Sequence, residues 1–248
     1  MIGIDDFALL TVDCYGTVID WERGILSEIR PLVVRDGRAD LSDDMILVNF
    51  AIIEAALAKE EPKIPYPILL QKTLRRLAAN LKFKASASEV KEFGNSVSRW
   101  PAFADSASSL QYLKRYYKLC VISNVDRASF ASSNCKLGVE FDAIYTAEDL
   151  GSYKPEVRNF EIALKEIRKT FDVKKSRIMH VAHSIFHDIA PARAIGLATL
   201  RVNRRKEVGG WGANPPHTLD DPMAKADFEV PSLAEFVALH QQHLREET

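Results

Sequence analysis

The chain has 248 residues, 47% of them hydrophobic and 27% charged, with a formal net charge of −1. That balance is ordinary for a globular protein, and it lacks the basic excess that a nucleic-acid-binding surface needs. Cys14, Cys120 and Cys135 are too few and too unevenly spaced for a disulfide framework or a zinc site. There is no basic-then-apolar leader and no apolar run long enough to span a membrane, so a cytoplasmic protein is the expectation.

The first element is a branched, apolar strand, Leu9 to Val12, which stops at Asp13-Cys14-Tyr15-Gly16-Thr17. Helical spacing follows from Glu22 to about Arg35, with Pro31 a candidate kink. Ser42 and its neighbours offer caps for a strongly apolar helix from Met45 to Lys59. A connector from Glu61 to Pro67 leads to a third helix through Leu69, Leu70, Leu74 and Leu77. Ser86 or Ser88 then caps a fourth, which ends before Trp100-Pro101. From there the rhythm alternates. Helices starting at Asp105, at Asp126 or Ser129, at Pro155 and at Asp188 separate strands at Lys118–Ser123, Phe141–Tyr145, Arg177–Val181 and Ala198–Val202. Phe228 to Val230 reads as a last edge strand after an irregular loop from Glu207 to Asp227. Strands alternating with helices imply a doubly wound parallel sheet. The division expected is an α/β core of residues 1–19 and 99–248, with residues 20–98 inserted as a helical unit.

In an open parallel sheet, ligands bind beyond the carboxyl ends of the strands. Four strand ends present polar groups to that edge: Asp13; Ser123 and Asn124; Lys154; and His183, Ser184 and Asp188. Each alone reads as turn or cap chemistry. Together, an acid, a hydroxyl–amide pair, a lysine and a second acid at successive junctions are hard to attribute to turns alone.

These four segments, in order, resemble the four motifs of the haloacid dehalogenase superfamily, and the helical insertion resembles its cap domain. The resemblance implies that Asp13 is a nucleophile forming a covalent ester. It also implies that Lys154 keeps Asp13 ionised, Thr17 and Ser123 aim it, and Asp188 orients Lys154 or the hydrolytic water. Tyr15, Asn124, Trp21 and His183 are the expected substrate-binding residues, with Asn124 a donor to a leaving anion. Phe50, Ile53, Tyr66 and Trp100 are further lining candidates, although helix packing accounts for each.

Magnesium-dependent members carry an acid where this chain has Tyr15, and a Gly-Asp start to the fourth motif where this chain has Ala182-His183. A metal-independent enzyme with no cofactor is therefore expected, acting on a small 2-substituted carboxylic acid, as in the branch that hydrolyses 2-haloacids. Three positions depart from that branch. No arginine lies between Arg38 and Arg75, where the halide-binding arginine falls near Asn49. Phe160 replaces a tyrosine, and His183 and Ile185 replace a serine and an asparagine. The L-azetidine-2-carboxylate hydrolases are similar through the DCYGT opening, Trp100 to Phe103, and Gly138 to Pro155, and they expel an amine instead. There His183 or Tyr15 would supply the proton. A magnesium-dependent phosphatase and a binding protein with a decayed site are the remaining alternatives. Apolar Ile52, Ile53, Ala56 and Leu57 exceed the needs of one helix face and suggest a homodimer contact.

Overall fold

A computed structural model describes residues 3–215 and 222–246. Six parallel strands form one sheet: β1 (Leu9–Val12), β2 (Lys118–Ser123), β3 (Ala143–Thr146), β4 (Ile178–Ala182), β5 (Ala198–Val202) and β6 (Phe228–Val230). The spatial order β3-β2-β1-β4-β5-β6 puts β1 inside the sheet, at the point where the winding reverses. Side chains alternate between faces along a strand, and two separate apolar clusters follow that alternation. Leu10, Val12, Leu119, Val121, Met179 and Val181 belong to one cluster; Leu9, Cys120, Ile122 and Ile178 belong to the other. Both faces are therefore covered, which is the doubly wound α/β arrangement.

The helices are α1 (Trp21–Arg35), α2 (Asp43–Glu60), α3 (Tyr66–Leu81), α4 (Ala87–Gly94), α5 (Ser106–Leu113), α6 (Arg127–Asn134), α7 (Ala147–Leu150), α8 (Val157–Phe171), α9 (Ala190–Ala194) and α10 (Leu233–Glu246). Phe160, Ala163 and Ile167 of α8 pack on the Leu9 face, while Leu110, Leu113 and Phe236 from α5 and α10 join the Leu10 cluster. Helices α1 to α4 follow β1 directly, with α2 packed on α3 and α3 on α4. Within this block α1 runs unbroken through Pro31, and Ser86, not Ser88, caps α4 by accepting from Glu89 N–H while the Glu89 carboxylate accepts from Ser86 N–H. Gly24 lets α1 lie against the Trp100 ring, because a Cβ there would sit 2.3 Å from Trp100 Cγ. Ile53 and Leu57 are buried within the block, whereas Ile52 and Ala56 stay exposed.

Several boundaries differ from the sequence reading. The third strand starts at Ala143, not Phe141, because the Asp142 carboxylate accepts from Leu119 N–H and Lys114 Nζ and anchors the chain just before pairing begins. The helix expected from Asp188 opens as a π-helical turn, Ile185–Ile189, and continues as α9. α7 and α10 were not anticipated. α7 is a single turn closed by reciprocal Thr146 and Asp149 bonds, and α10 buries Leu233, Phe236 and His240 along one stripe. Part of the 207–227 loop, residues 216–221, lies outside the described residues.

Arg205, just beyond β5, ties that loop to the helical block. Its guanidinium donates to Glu22 of α1, Asp44 of α2 and the Gly209 carbonyl, and Glu22 also accepts from Ala213 N–H. No helix among the described residues is long and apolar enough to cross a membrane.

Candidate active site

Because β1, β2 and β4 run parallel with Val12 level with Val121 and Val181, their carboxyl ends finish together. Asp13 is the next residue, and its N–H donates to the Val181 carbonyl at 3.0 Å. The chain then turns away at Gly16, whose φ of +90° lies in the region glycine tolerates best. A Cβ on Gly16 would approach Trp21 Nε1 to 3.0 Å, so the same glycine leaves room for the indole. Thr17 Oγ1 donates to Asp13 Oδ2 at 2.8 Å and accepts from His183 N–H at 2.9 Å.

Lys154 uses all three ammonium protons. They go to Asp13 Oδ1 at 2.7 Å, Asp188 Oδ1 at 2.6 Å and the Ile122 carbonyl at 2.9 Å. The Asn124 amide fixes the Lys154 backbone in both directions, accepting from its N–H at 2.6 Å and donating to its carbonyl at 3.0 Å. Asp188 has a second donor, His180 Nε2 at 3.1 Å, and Thr11 sits 3.0 Å from the other nitrogen of that ring. Asp13, Lys154, Asp188 and His180 are all buried. A buried charge is tolerated only when paired and hydrogen-bonded, and here one cation stands between two carboxylates.

The two acids differ electrostatically. Burial opposes ionisation of Asp188, but Lys154 and His180 outweigh it and hold the carboxyl down at about 2. Burial raises the Asp13 carboxyl and the Asp188 charge raises it further, while Lys154 and Thr17 pull it back. Burial pulls the Lys154 ammonium down, yet the two carboxylates outweigh it and keep the pKa above its usual value. Asp13 is thus the more basic of the two acids, which suits a nucleophile.

Asp13 opens onto a narrow recess of about 30 Å³. Lys154, Asp188, Asn124, Ser184 and His187 border it from the sheet edge. Tyr15 and Trp21 border it from the segment after β1, and Glu54 of α2 and Tyr66 of α3 from the helical block. Burial keeps His187 neutral, with its pKa lowered to about 4, and its Nδ1 lies 3.2 Å from Ser184 Oγ.

The structure brings Asp13, Thr17, Lys154 and Asp188 together, with Asn124, Tyr15 and Trp21 beside them. Three expected roles are corrected. Ser123 does not aim Asp13: its Oγ is buried and has no partner among the described residues. His183 turns away from this cavity, because Nδ1 meets the Val202 carbonyl at 3.0 Å and the ring borders a different recess. The Tyr15 hydroxyl is committed to Ser133 Oγ at 2.8 Å and the Ser129 carbonyl, so only its ring faces the cavity. Phe50 and Trp100 are core packing, as ring contacts with Trp21 and Tyr15 show.

Two residues escaped the sequence reading. His187 lay inside the fourth motif with no role attached. Glu54 is a lone acid in the apolar run Phe50-Ala51-Ile52-Ile53-Glu54-Ala55-Ala56-Leu57, and that interruption was the available signal. Its carboxyl is 3% exposed, and burial alone raises it to about 7.

A family model described as haloacid dehalogenase-like hydrolase matches residues 7–196. The chain belongs to the haloacid dehalogenase-like hydrolases. No curated protein sequence matches it. Among solved structures, a dehalogenase with an intermediate complex superposes with a TM-score of 0.77 at 19% identity, covering 96% of this chain and 98% of that one. The L-2-haloacid dehalogenase of Xanthobacter autotrophicus with chloropropionic acid covalently bound gives 0.73 at 15% identity, with 95% and 98% covered. The YfnB protein of Bacillus subtilis bound to magnesium gives 0.71 at 15%, with 95% and 99% covered. Likeness at such identities establishes the shared fold.

Magnesium takes a near-octahedral set of oxygens, and in this haloacid dehalogenase-like hydrolase a lysine already engages one oxygen of each facing carboxylate. Asp13 Oδ1 and Asp188 Oδ1 both hold Lys154, and Asp188 Oδ1 also holds His180. Among the described residues no three His, Cys, Asp or Glu side chains are grouped to hold a metal ion.

Proposed function

We propose that this hydrolase removes a substituent from the α-carbon of a small carboxylic acid, through an ester on Asp13 and without a metal. The observation that carries this reading is the buried Asp13 carboxylate, with Lys154 on one oxygen and Thr17 on the other, facing a narrow cavity. An Asp13 oxygen attacks the α-carbon, a C–O bond forms, and the departing group leaves with the electron pair of its bond. Water then adds to the aspartyl carbonyl and releases a 2-hydroxy acid and the Asp13 carboxylate. Lys154 stabilises both charged states of Asp13, since a cation fixed in a dry site costs no reorganisation during reaction. His187, kept neutral, borders the cavity where water would attack and takes its proton. Trp21 Nε1 is buried with no partner among the described residues and borders the cavity, so it donates to the substrate carboxylate.

Two leaving groups fit this chemistry. A halide is supported by the fold shared with the L-2-haloacid dehalogenases. An amine, as in opening of azetidine-2-carboxylate, is supported by the charge of the cavity. Among the described residues bordering it, Lys154 is the only permanent cation, and both carboxylates beside it already claim that charge. Chloride release from 2-chloropropionate, measured beside consumption of L-azetidine-2-carboxylate, separates the two. Asp13→Asn abolishes either turnover. In a single turnover in ¹⁸O-water the label enters Asp13; label found only in the product overturns the ester mechanism.

A further inference from the structure

Glu54 occupies an unusual place. It lies on the buried face of α2 with Phe50, Ala51, Ile53 and Leu57 around it in sequence, and it borders the same cavity as Asp13. Among the described residues its carboxyl makes no hydrogen bond and no ion pair, although the other two buried acids, Asp13 and Asp188, have both. Burying such a group without a partner is costly and is not retained for packing, since a leucine or methionine would fill the same space more favourably. The charged and titratable groups facing it are Asp13, Lys154, Asp188 and His187 across the cavity, and Tyr15, Tyr66 and Tyr153 beside it. The one cation in that set is already held by two carboxylates at 2.6 and 2.7 Å. Glu54 therefore lacks a positive partner inside the protein, and the cavity between it and Asp13 is where one would sit.

We infer that Glu54 is the specificity-determining residue of this site: its carboxyl receives the basic nitrogen that leaves the α-carbon. This deepens the α-carbon reading above and rests on it for the chemical step. The substrate enters with its nitrogen protonated, and Glu54 ionises to pair with it. Asp13 forms the C–O bond, the C–N bond breaks, and its electron pair stays on nitrogen, which departs as a neutral amine with its protons. Hydrolysis of the ester releases one proton, which Glu54 accepts and passes to that amine. Nothing is oxidised or reduced. A halide gains nothing from this arrangement, because an anion would face a carboxyl across the cavity.

Binding and turnover are tested separately. In an Asp13→Asn background, which cannot form the ester, L-azetidine-2-carboxylate is titrated by calorimetry. Adding Glu54→Gln weakens binding by at least about tenfold, while 2-chloropropionate binding does not weaken. In the enzyme with Asp13 intact, Glu54→Gln lowers kcat for the azetidine by about 100-fold or more and changes the pH profile, and Glu54→Asp restores part of both. Absence of azetidine binding, or binding and pH profile indifferent to Glu54→Gln, overturns the proposal. Failure of the ¹⁸O label to enter Asp13 while the Glu54-dependent binding persists overturns the ester reading alone.

Discussion

The two sides of the cavity handle buried charge in opposite ways. On the sheet side, Asp13 and Asp188 share Lys154, and Thr17, His180 and Asn124 hold the group in one geometry. On the helical side, Glu54 is equally buried and has no partner among the described residues. The first arrangement is complete without substrate; the second is not. Reaction geometry is thus fixed by the strands, and the choice of what may enter is left to the helices.

The contrast is broken most severely at Lys154. Lys154→Met leaves two carboxylates facing each other in a dry site, a loss of about 3–5 kcal/mol by analogy with other severed buried pairs. Chemical denaturation should show it, and adding Asp188→Asn should recover part of the stability but none of the turnover.

At Glu54 the same experiment has the opposite sign. Folding raises its pKa from 4.5 to about 7, so the folded state binds the proton more tightly. Its contribution to stability is intact below about pH 4.5 and is lost as pH rises through 7. Glu54→Gln removes that loss, and stability at about pH 8 should rise by about 3 kcal/mol, with little change at about pH 4. Thermal denaturation across that range checks it, and an effect independent of pH would mean Glu54 is partnered after all.

Thr17→Val sharpens the comparison by loosening the sheet side slightly. It removes one bond to Asp13 and leaves His183 N–H without its acceptor, a cost of about 1–3 kcal/mol. Because the carboxylate is then aimed less well, kcat should fall more than KM rises in steady-state kinetics.

The sheet side was legible in the sequence because strand ends are read from local patterns. An apolar run ending in Asp13, another ending in Ser123-Asn124, and Lys154 before Pro155 each mark a junction, and parallel pairing aligns the junctions without further information. Side-chain direction was not legible. His183 and Asp188 sit in one short segment, yet the π-helical turn at Ile185–Ile189 sends Asp188 inward and leaves His183 against Val202. Tyr15 held the position expected of it, while its hydroxyl found Ser133, more than a hundred residues away. The helical side was hardest to read. Glu54 belongs to α2, and the residues it faces across the cavity come from β1, β2 and β4 ends far away in the chain, which no local pattern encodes. α10 was missed for a different reason: its buried stripe of Leu233, Phe236 and His240 includes a histidine, which hides the apolar period.

Arg205 gives the narrow cavity a kinetic consequence. The recess over Asp13 is narrow and is walled by both the sheet edge and the helical block, so separating the two would ease the passage of substrate and product. Arg205 spans that seam, holding Glu22 and Asp44 at once with only a tenth of its side chain exposed. Opening strips the guanidinium of both partners and exposes the Arg205 and Glu22 charges to water, where dissolved ions stabilise them. Added salt should therefore speed product escape while leaving the buried chemical step unaffected. The turnover of this hydrolase would then rise with ionic strength, and Arg205→Ala would flatten that dependence.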